Sequence, residues 1–214
     1  THCISSAASD VYKRQAIYYN IFEPAERKAA FEQLINLIEE QEYHLDVGVL
    51  GGRVLFHVLT DFGYSDLAFS MITRPDYPSY GNWIARGATT LWEVFQPEGS
   101  DRIGSLNHHF WGDISSWFTQ ALSGIRMAPH GEPNEVDFRP SFISRLTHAE
   151  AFHIAPAGRI ASAWERDEDD VIELTVELPS TMHGVIRLES GYVFEDGLAY
   201  KAAESGTYRI HSIE

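Results

Sequence analysis

The sequence predicts an α region followed by a β region, and three observations carry that prediction. From Pro24 to about Leu122, apolar residues recur at the spacing of one helix face. Beyond Met127 they alternate with polar residues, the period of a strand with one buried and one wet face. Between the two regimes lies the turn-rich run Ala128-Pro129-His130-Gly131-Glu132-Pro133, so residues 16–127 are assigned to a helical part and 128–214 to a strand part.

The first helix begins at Pro24, a residue suited to a first helical turn, with Glu26 beside the positive helix end. Phe31, Leu34, Ile35 and Ile38 form its apolar stripe. A second carries Leu55, Val58, Leu59 and Phe62 and stops at Gly63. A third starts near Ser65-Asp66 and ends before Pro75. Links this short imply an array of antiparallel helical hairpins. After an irregular segment from Pro75 to Phe110, a fourth helix runs from about Gly112 to Leu122. It has Ile114, Trp117, Phe118, Ala121, Leu122 and Ile125 on one side, and packing explains Trp117 and Phe118 before any ligand is needed.

In the strand part, Ile172, Leu174, Val176 and Leu178 alternate with Glu173, Thr175 and Glu177. Arg159 to Trp164, Gly184 to Leu188 and Gly206 to Ile210 read as further strands. Turns separate them at Asp167-Glu168-Asp169-Asp170 and Asp196-Gly197.

Composition bounds the function. The 214 residues carry 31 acidic against 16 basic side chains, a formal charge of −15, which repels nucleic acid and acidic membrane surfaces. The same charge also serves plain solubility. No apolar run approaches the roughly 18 residues of a membrane span, so no membrane partner is expected. Cys3 is the one cysteine, which excludes an internal disulfide and a zinc-type Cys cluster and leaves the redox compartment open. His44, His57, His148, His153 and His211 lack metal-ligand spacing, and Gly48, Gly51 and Gly52 lie at a helix entry without a dinucleotide fingerprint. No metal and no cofactor is expected.

Chemistry collects between Pro75 and Phe110. Gly87-Ala88-Thr89-Thr90-Leu91-Trp92-Glu93 sets one carboxylate beside an indole, and Ser105-Leu106-Asn107-His108-His109-Phe110 adds an amide and two imidazoles. Aromatic faces suit the C–H side of a sugar ring, and amide, imidazole and carboxylate groups suit its hydroxyls. Glycosidic hydrolysis needs two carboxyl groups, so Glu93 alone is half of a mechanism; the other reading is a structurally paired carboxylate. Tyr80, Trp83, Trp92 and Trp111 are candidates to line the pocket. One or two of them are expected to touch sugar and the rest to hold the Glu93 loop in place. His108 either binds sugar or braces the following helix, and bracing suits His109 better.

These two segments closely resemble the bacterial α-L-rhamnosidases, a glycoside hydrolase family. The resemblance extends in order through His44-Leu45-Asp46-Val47-Gly48-Val49-Leu50-Gly51-Gly52-Arg53, Tyr77-Pro78-Ser79-Tyr80-Gly81 and Trp111-Gly112-Asp113-Ile114-Ser115. It implies the C-terminal part of a six-hairpin (α/α) barrel plus a small antiparallel β-sandwich, and hence a fragment lacking the remainder of the barrel. It implies Glu93 as the general base of an inverting hydrolase that releases terminal α-L-rhamnose from glycosides or polysaccharides. His108, Trp92, Tyr80, Trp83 and Asn107 are then substrate-binding residues. The general acid lies on an earlier barrel segment: Glu39, Glu40 and Glu42 belong to a polar helix face and its exit and do not match it. The substrate is then a rhamnose-containing glycoside; the protein reads as soluble and bacterial, and its localisation, cytoplasmic or periplasmic, stays open. A non-catalytic carbohydrate-binding or structural module is the alternative; a polysaccharide lyase would want basic residues where this chain is acidic.

Residues 1–15 stand apart. Ser5-Ser6-Ala7-Ala8-Ser9-Asp10-Val11-Tyr12-Lys13-Arg14-Gln15 resembles translated sequencing-adapter read-through, the alternative being a flexible N-terminal arm. On either reading Cys3 carries no function.

Overall fold

The computed structural model describes residues 14–100 and 104–213, so Cys3 and most of the stretch 1–15 lie outside the described residues. The chain forms two compact units, Thr1–Ile114 and Ser115–Glu214.

Unit 1 is helical. Residues 14–18 form a short helical segment that buries Ile17, and the Arg14 guanidinium donates to the Asp46 carbonyl at 3.5 Å. Helix α1 (Pro24–Glu40) starts in a capping box in which the Glu23 side chain and Glu26 satisfy each other's backbone amides. Its buried residues Phe31, Leu34 and Ile38 fall on the expected stripe. Helix α2 (Val49–Asp61) ends as expected at Phe62 and Gly63, whose φ of +81° suits a residue without a Cβ. The Phe62 ring stacks on Phe31 at 3.9 Å between centroids and joins α2 to α1. Helix α3 (Ser65–Thr73) buries Ala68, Met71 and Ile72.

The segment from Pro75 to Phe110 is not wholly irregular. Ser79 caps a short helix α4 (Tyr80–Ala85), accepting from the Asn82 amide at 2.9 Å. Six residues are too few to display a helical period, which is why the pattern missed it.

The fourth expected helix is also different. It is α-helical over α5 (Asp113–Trp117) and then widens into a π-helical turn, Phe118–Leu122. Widening the turn carries successive side chains around the axis. Trp117 stays buried at 1% exposure, while Phe118, expected in the core, is 38% exposed. Ile125 belongs to a strand rather than to this helix.

Unit 2 is a two-sheet sandwich. Strands β1 (Ile125–Met127), β2 (Val136–Phe138), β6 (Val185–Arg187) and β8 (Tyr200–Ala202) form one sheet in the order β1-β2-β6-β8. Strands β3 (His148–Ala155), β4 (Gly158–Arg166), β5 (Ile172–Glu177), β9 (Gly206–Ser212) and β7 (Tyr192–Phe194) form the other in the order β3-β4-β5-β9-β7. Pairing is antiparallel except between β2 and β6, which run parallel with Phe138 opposite Ile186. On β5, Ile172, Leu174 and Val176 are buried and the intervening residues exposed, as the alternation required. They share a core with Phe138, Ile160, Trp164 and Ile186. The Trp164 indole donates to the Leu122 carbonyl at 2.7 Å and ties the sheet to the π-helical turn. Strands β1, β2, β3, β7 and β8 escaped the sequence pattern. Four have three residues each, and β3 is exposed along most of its length, so it shows no alternation. Among the described residues, no helix is long and apolar enough to cross a membrane.

Candidate functional site

The site is built from the turn after α3, helix α4 and two extended runs that follow. At the turn, Ser79 is fully buried, and its hydroxyl donates to the carbonyls of Arg74 and Asp76. A Cβ at Gly81 would stand 2.2 Å from the Arg74 carbonyl oxygen, so the close approach of α4 to this turn requires glycine. Arg74 chelates Asp76 through two bonds of 2.8 Å, and His44 reaches the same carboxylate at 3.0 Å. The Arg74 bond, followed by that of His44, holds the Asp76 carboxyl well below the usual carboxylate range.

Pinned in this way, α4 turns Tyr80 and Trp83 inward. Trp83 is 2% exposed and stacks on Phe95 at 4.2 Å, with the planes 20° apart. Tyr80 donates its hydroxyl to the Trp111 carbonyl at 3.2 Å, and burial, with a further contribution from Asp113, pushes that hydroxyl's pKa up. The Trp111 ring meets Phe95 at 4.7 Å and 62°. Of the four aromatics weighed for the pocket wall, Tyr80, Trp83 and Trp111 are buried. Trp92, partly exposed, remains at the surface, with the Arg86 guanidinium 5.2 Å from its ring centre.

On this aromatic base the two motif segments run side by side. The His108 amide donates to the Leu91 carbonyl and the Glu93 amide to the Ser105 carbonyl, each at 2.8 Å. The Thr90 hydroxyl donates to the Leu106 carbonyl. The Ser105 amide then donates to Glu93 Oε2 at 2.8 Å, and the Trp111 indole N–H donates to the Glu93 carbonyl at 3.0 Å. The fold thus brings together the carboxylate and the amide-imidazole run, which are a dozen residues apart in sequence.

His108 accepts from the Phe110 amide at Nδ1, 3.3 Å away. A neutral ring that accepts at Nδ1 carries its proton on Nε2, a donor suited to a hydroxyl acceptor. The two imidazoles lie nearly parallel, 10° apart at 5.3 Å. Asn107 is exposed, its backbone N–H donating to the Ser105 hydroxyl at 3.2 Å. The arrangement sets one partly exposed carboxylate, an imidazole that accepts at Nδ1, an amide and an indole above a buried aromatic cluster, and these groups are chemically able to exchange hydrogen bonds with hydroxyls.

Sequence reasoning passed over four residues. Phe95 sits at the centre of the aromatic cluster, and nothing distinguishes it locally from any apolar loop residue. Ser105 acts through its backbone, which no side-chain pattern reports. His57 and Asp113 form a pair, Nε2 to Oδ2 at 3.0 Å, across 56 positions of sequence. Among the described residues, no three of His, Cys, Asp and Glu come together as a metal-binding group.

The family model described as bacterial alpha-L-rhamnosidase 6 hairpin glycosidase domain matches residues 5–122, and that of the bacterial alpha-L-rhamnosidase C-terminal domain matches residues 134–191. An alpha-L-rhamnosidase of Streptomyces avermitilis is 29% identical over 209 residues, covering 89% of this chain and 20% of the relative. One from Alteromonas sp. (strain LOR) is 31% identical over 173 residues, covering 77% and 18%. The chain thus spans about a fifth of the length of these curated relatives. Among solved structures, the alpha-L-rhamnosidase from Dictyoglumus thermophilum superposes with a TM-score of 0.81 at 25% identity, over 96% of this chain and 25% of the other. The Streptomyces avermitilis alpha-L-rhamnosidase complexed with L-rhamnose gives 0.81 at 28% identity, over 94% and 21%.

Proposed function

The chain belongs to the bacterial alpha-L-rhamnosidase family, and from that premise we propose that it supplies part of the active site of an inverting glycoside hydrolase that releases terminal α-L-rhamnose from glycosides or polysaccharides. Glu93 is the general base. It takes a proton from a water whose oxygen bonds to the anomeric carbon as the bond to the leaving oxygen breaks. A carboxylic acid on barrel segments outside these residues protonates that leaving oxygen. Because the water enters opposite the leaving group, the configuration at the anomeric carbon inverts. His108, through Nε2–H, Asn107 and the Trp92 ring are the sugar-contacting groups, while Tyr80 and Trp83 serve from beneath.

The observation that carries this reading is the placement of the Glu93 carboxylate. It stands partly exposed at the junction of the two motif segments, anchored to the Ser105 amide through Oε2. The likeness to a fold solved with L-rhamnose supports the choice of sugar.

The test follows the anomer of rhamnose released from an aryl rhamnoside by NMR, in the full protein with and without Glu93→Gln. Inversion is expected, with kcat lowered about 10²–10⁴-fold in the variant and binding changed far less. Retention, or a variant with near wild-type kcat, would sink the assignment, as would turnover by these 214 residues alone.

A further inference from the structure

We propose that Trp111 is the positioning residue of Glu93, acting through the backbone rather than on the substrate; this rests on the reading of Glu93 as general base. The Trp111 indole N–H donates to the Glu93 carbonyl at 3.0 Å, and the residue is 5% exposed. Three separate contacts fix Trp111. Its backbone carbonyl accepts the Tyr80 hydroxyl at 3.2 Å, and its ring meets Phe95 at 62°. Its outer edge lies against Gly52, where a Cβ would stand 2.4 Å from Cζ3.

With the Glu93 main chain held from below, the Ser105 amide holds the side chain through Oε2 at 2.8 Å. Two anchors of different kinds thus set the position and the rotamer of the carboxylate, and a carboxylate held through Oε2 presents Oε1 to the incoming water. Releasing the backbone anchor displaces the base from its line of attack without altering its chemistry. A misplacement of about 1 Å can cost on the order of 10²-fold in rate.

The experiment is steady-state kinetics of the full protein with Trp111→Phe, which keeps an aromatic ring and removes the N–H. The expected result is kcat lowered about 10–100-fold, with KM changed less than about twofold, because no sugar contact is lost. Leu59→Ala, a core truncation elsewhere in the same unit, serves as the control for lost stability and should leave kcat per folded molecule unchanged. Should Trp111→Phe fail to fold, benzothienylalanine at position 111 retains the bicyclic shape and lacks only the donor. Wild-type kcat in whichever Trp111 replacement folds overturns the proposal, and so does an equal kcat loss in Leu59→Ala. Glu93→Gln measured alongside separates the two ideas. If it keeps its kcat, the general-base reading falls; if it loses kcat while the Trp111 replacement does not, only the positioning role falls.

Discussion

Gly52 and Trp111 are in contact across 59 positions of sequence because one has no side chain: a Cβ on Gly52 would stand 2.4 Å from Cζ3 of the indole. A Cβ on Gly51, its neighbour in the same helical turn, would stand 3.3 Å from the Val47 side chain, a tight contact that a shift of a few tenths of an ångström relieves. Gly52→Ala should therefore destabilise unit 1 by about 1–3 kcal/mol through overpacking. Gly51→Ala should come out near neutral, because the tight contact offsets the helix-propensity gain of roughly 0.5–1 kcal/mol. Denaturant midpoints of the two variants decide it, and equal losses would show that the indole is not what requires glycine at 52.

Tyr80 gives the fold a pH dependence on the alkaline side. Burial raises its hydroxyl pKa in the folded chain, with Asp113 adding to the effect, whereas an unfolded tyrosine titrates near ~10. Above that pH the folded state retains more protons than the unfolded one, so this contribution is complete below about pH 10 and is lost as the pH rises beyond it. Unfolding free energy measured from pH 8 to 11 should fall more steeply in the wild type than in Tyr80→Phe. Parallel curves would contradict this account. At neutral pH the same variant should cost about 0.5–1.5 kcal/mol for the lost bond to the Trp111 carbonyl.

In unit 2, Gly184 lets β6 lie alongside β2. Its Cβ would fall 1.6 Å from the Val136 carbonyl oxygen, a backbone atom that cannot swing aside. Gly184→Ala should separate the parallel pair at a cost of about 3 kcal/mol or more. Hydrogen exchange of the Val136 amide, which donates to the His183 carbonyl at 3.0 Å, is the direct readout, and unchanged protection there would rule the mechanism out.

Arg14 opens the helical segment 14–18. The reading of the preceding stretch as a foreign tail predicts that removing residues 1–13 leaves the thermal midpoint unchanged. A deletion extended through Gln15 removes the Arg14 bond to Asp46, worth about 0.5–1.5 kcal/mol, and should lower the midpoint by about 1–6 °C. A drop of several degrees from the shorter deletion would show instead that the tail packs.

Sequence alone determined the class of fold and singled out the candidate site. Helices α1 and α2 and strands β4, β5 and β9 were legible because each is long enough to repeat its period against a core, as Phe31, Leu34 and Ile38 or Ile172, Leu174 and Val176 do with Ile35 and Leu178 half-buried beside them, and α3 was legible from its start at Ser65-Asp66 and the stop before Pro75. The runs ending in Glu93 and Phe110 stood out because carboxylate, amide, imidazole and indole groups have the chemistry that suits sugar hydroxyls and ring faces. Tertiary structure alone decided which aromatics face out. Tyr80, Trp83, Trp92 and Trp111 are equivalent as letters, and only the pinning of α4 by Ser79 and Gly81 turns the first two beneath the site and leaves Trp92 at its surface. The pairing of Ser105 with Glu93, of His57 with Asp113 and of Gly52 with Trp111 was likewise invisible, as was the widening of the turn at Phe118. The physical reason is common to all of them. Periodicity reports how a side chain faces its own element, whereas backbone donors, missing Cβ atoms and contacts between distant segments acquire meaning only when another part of the chain arrives beside them.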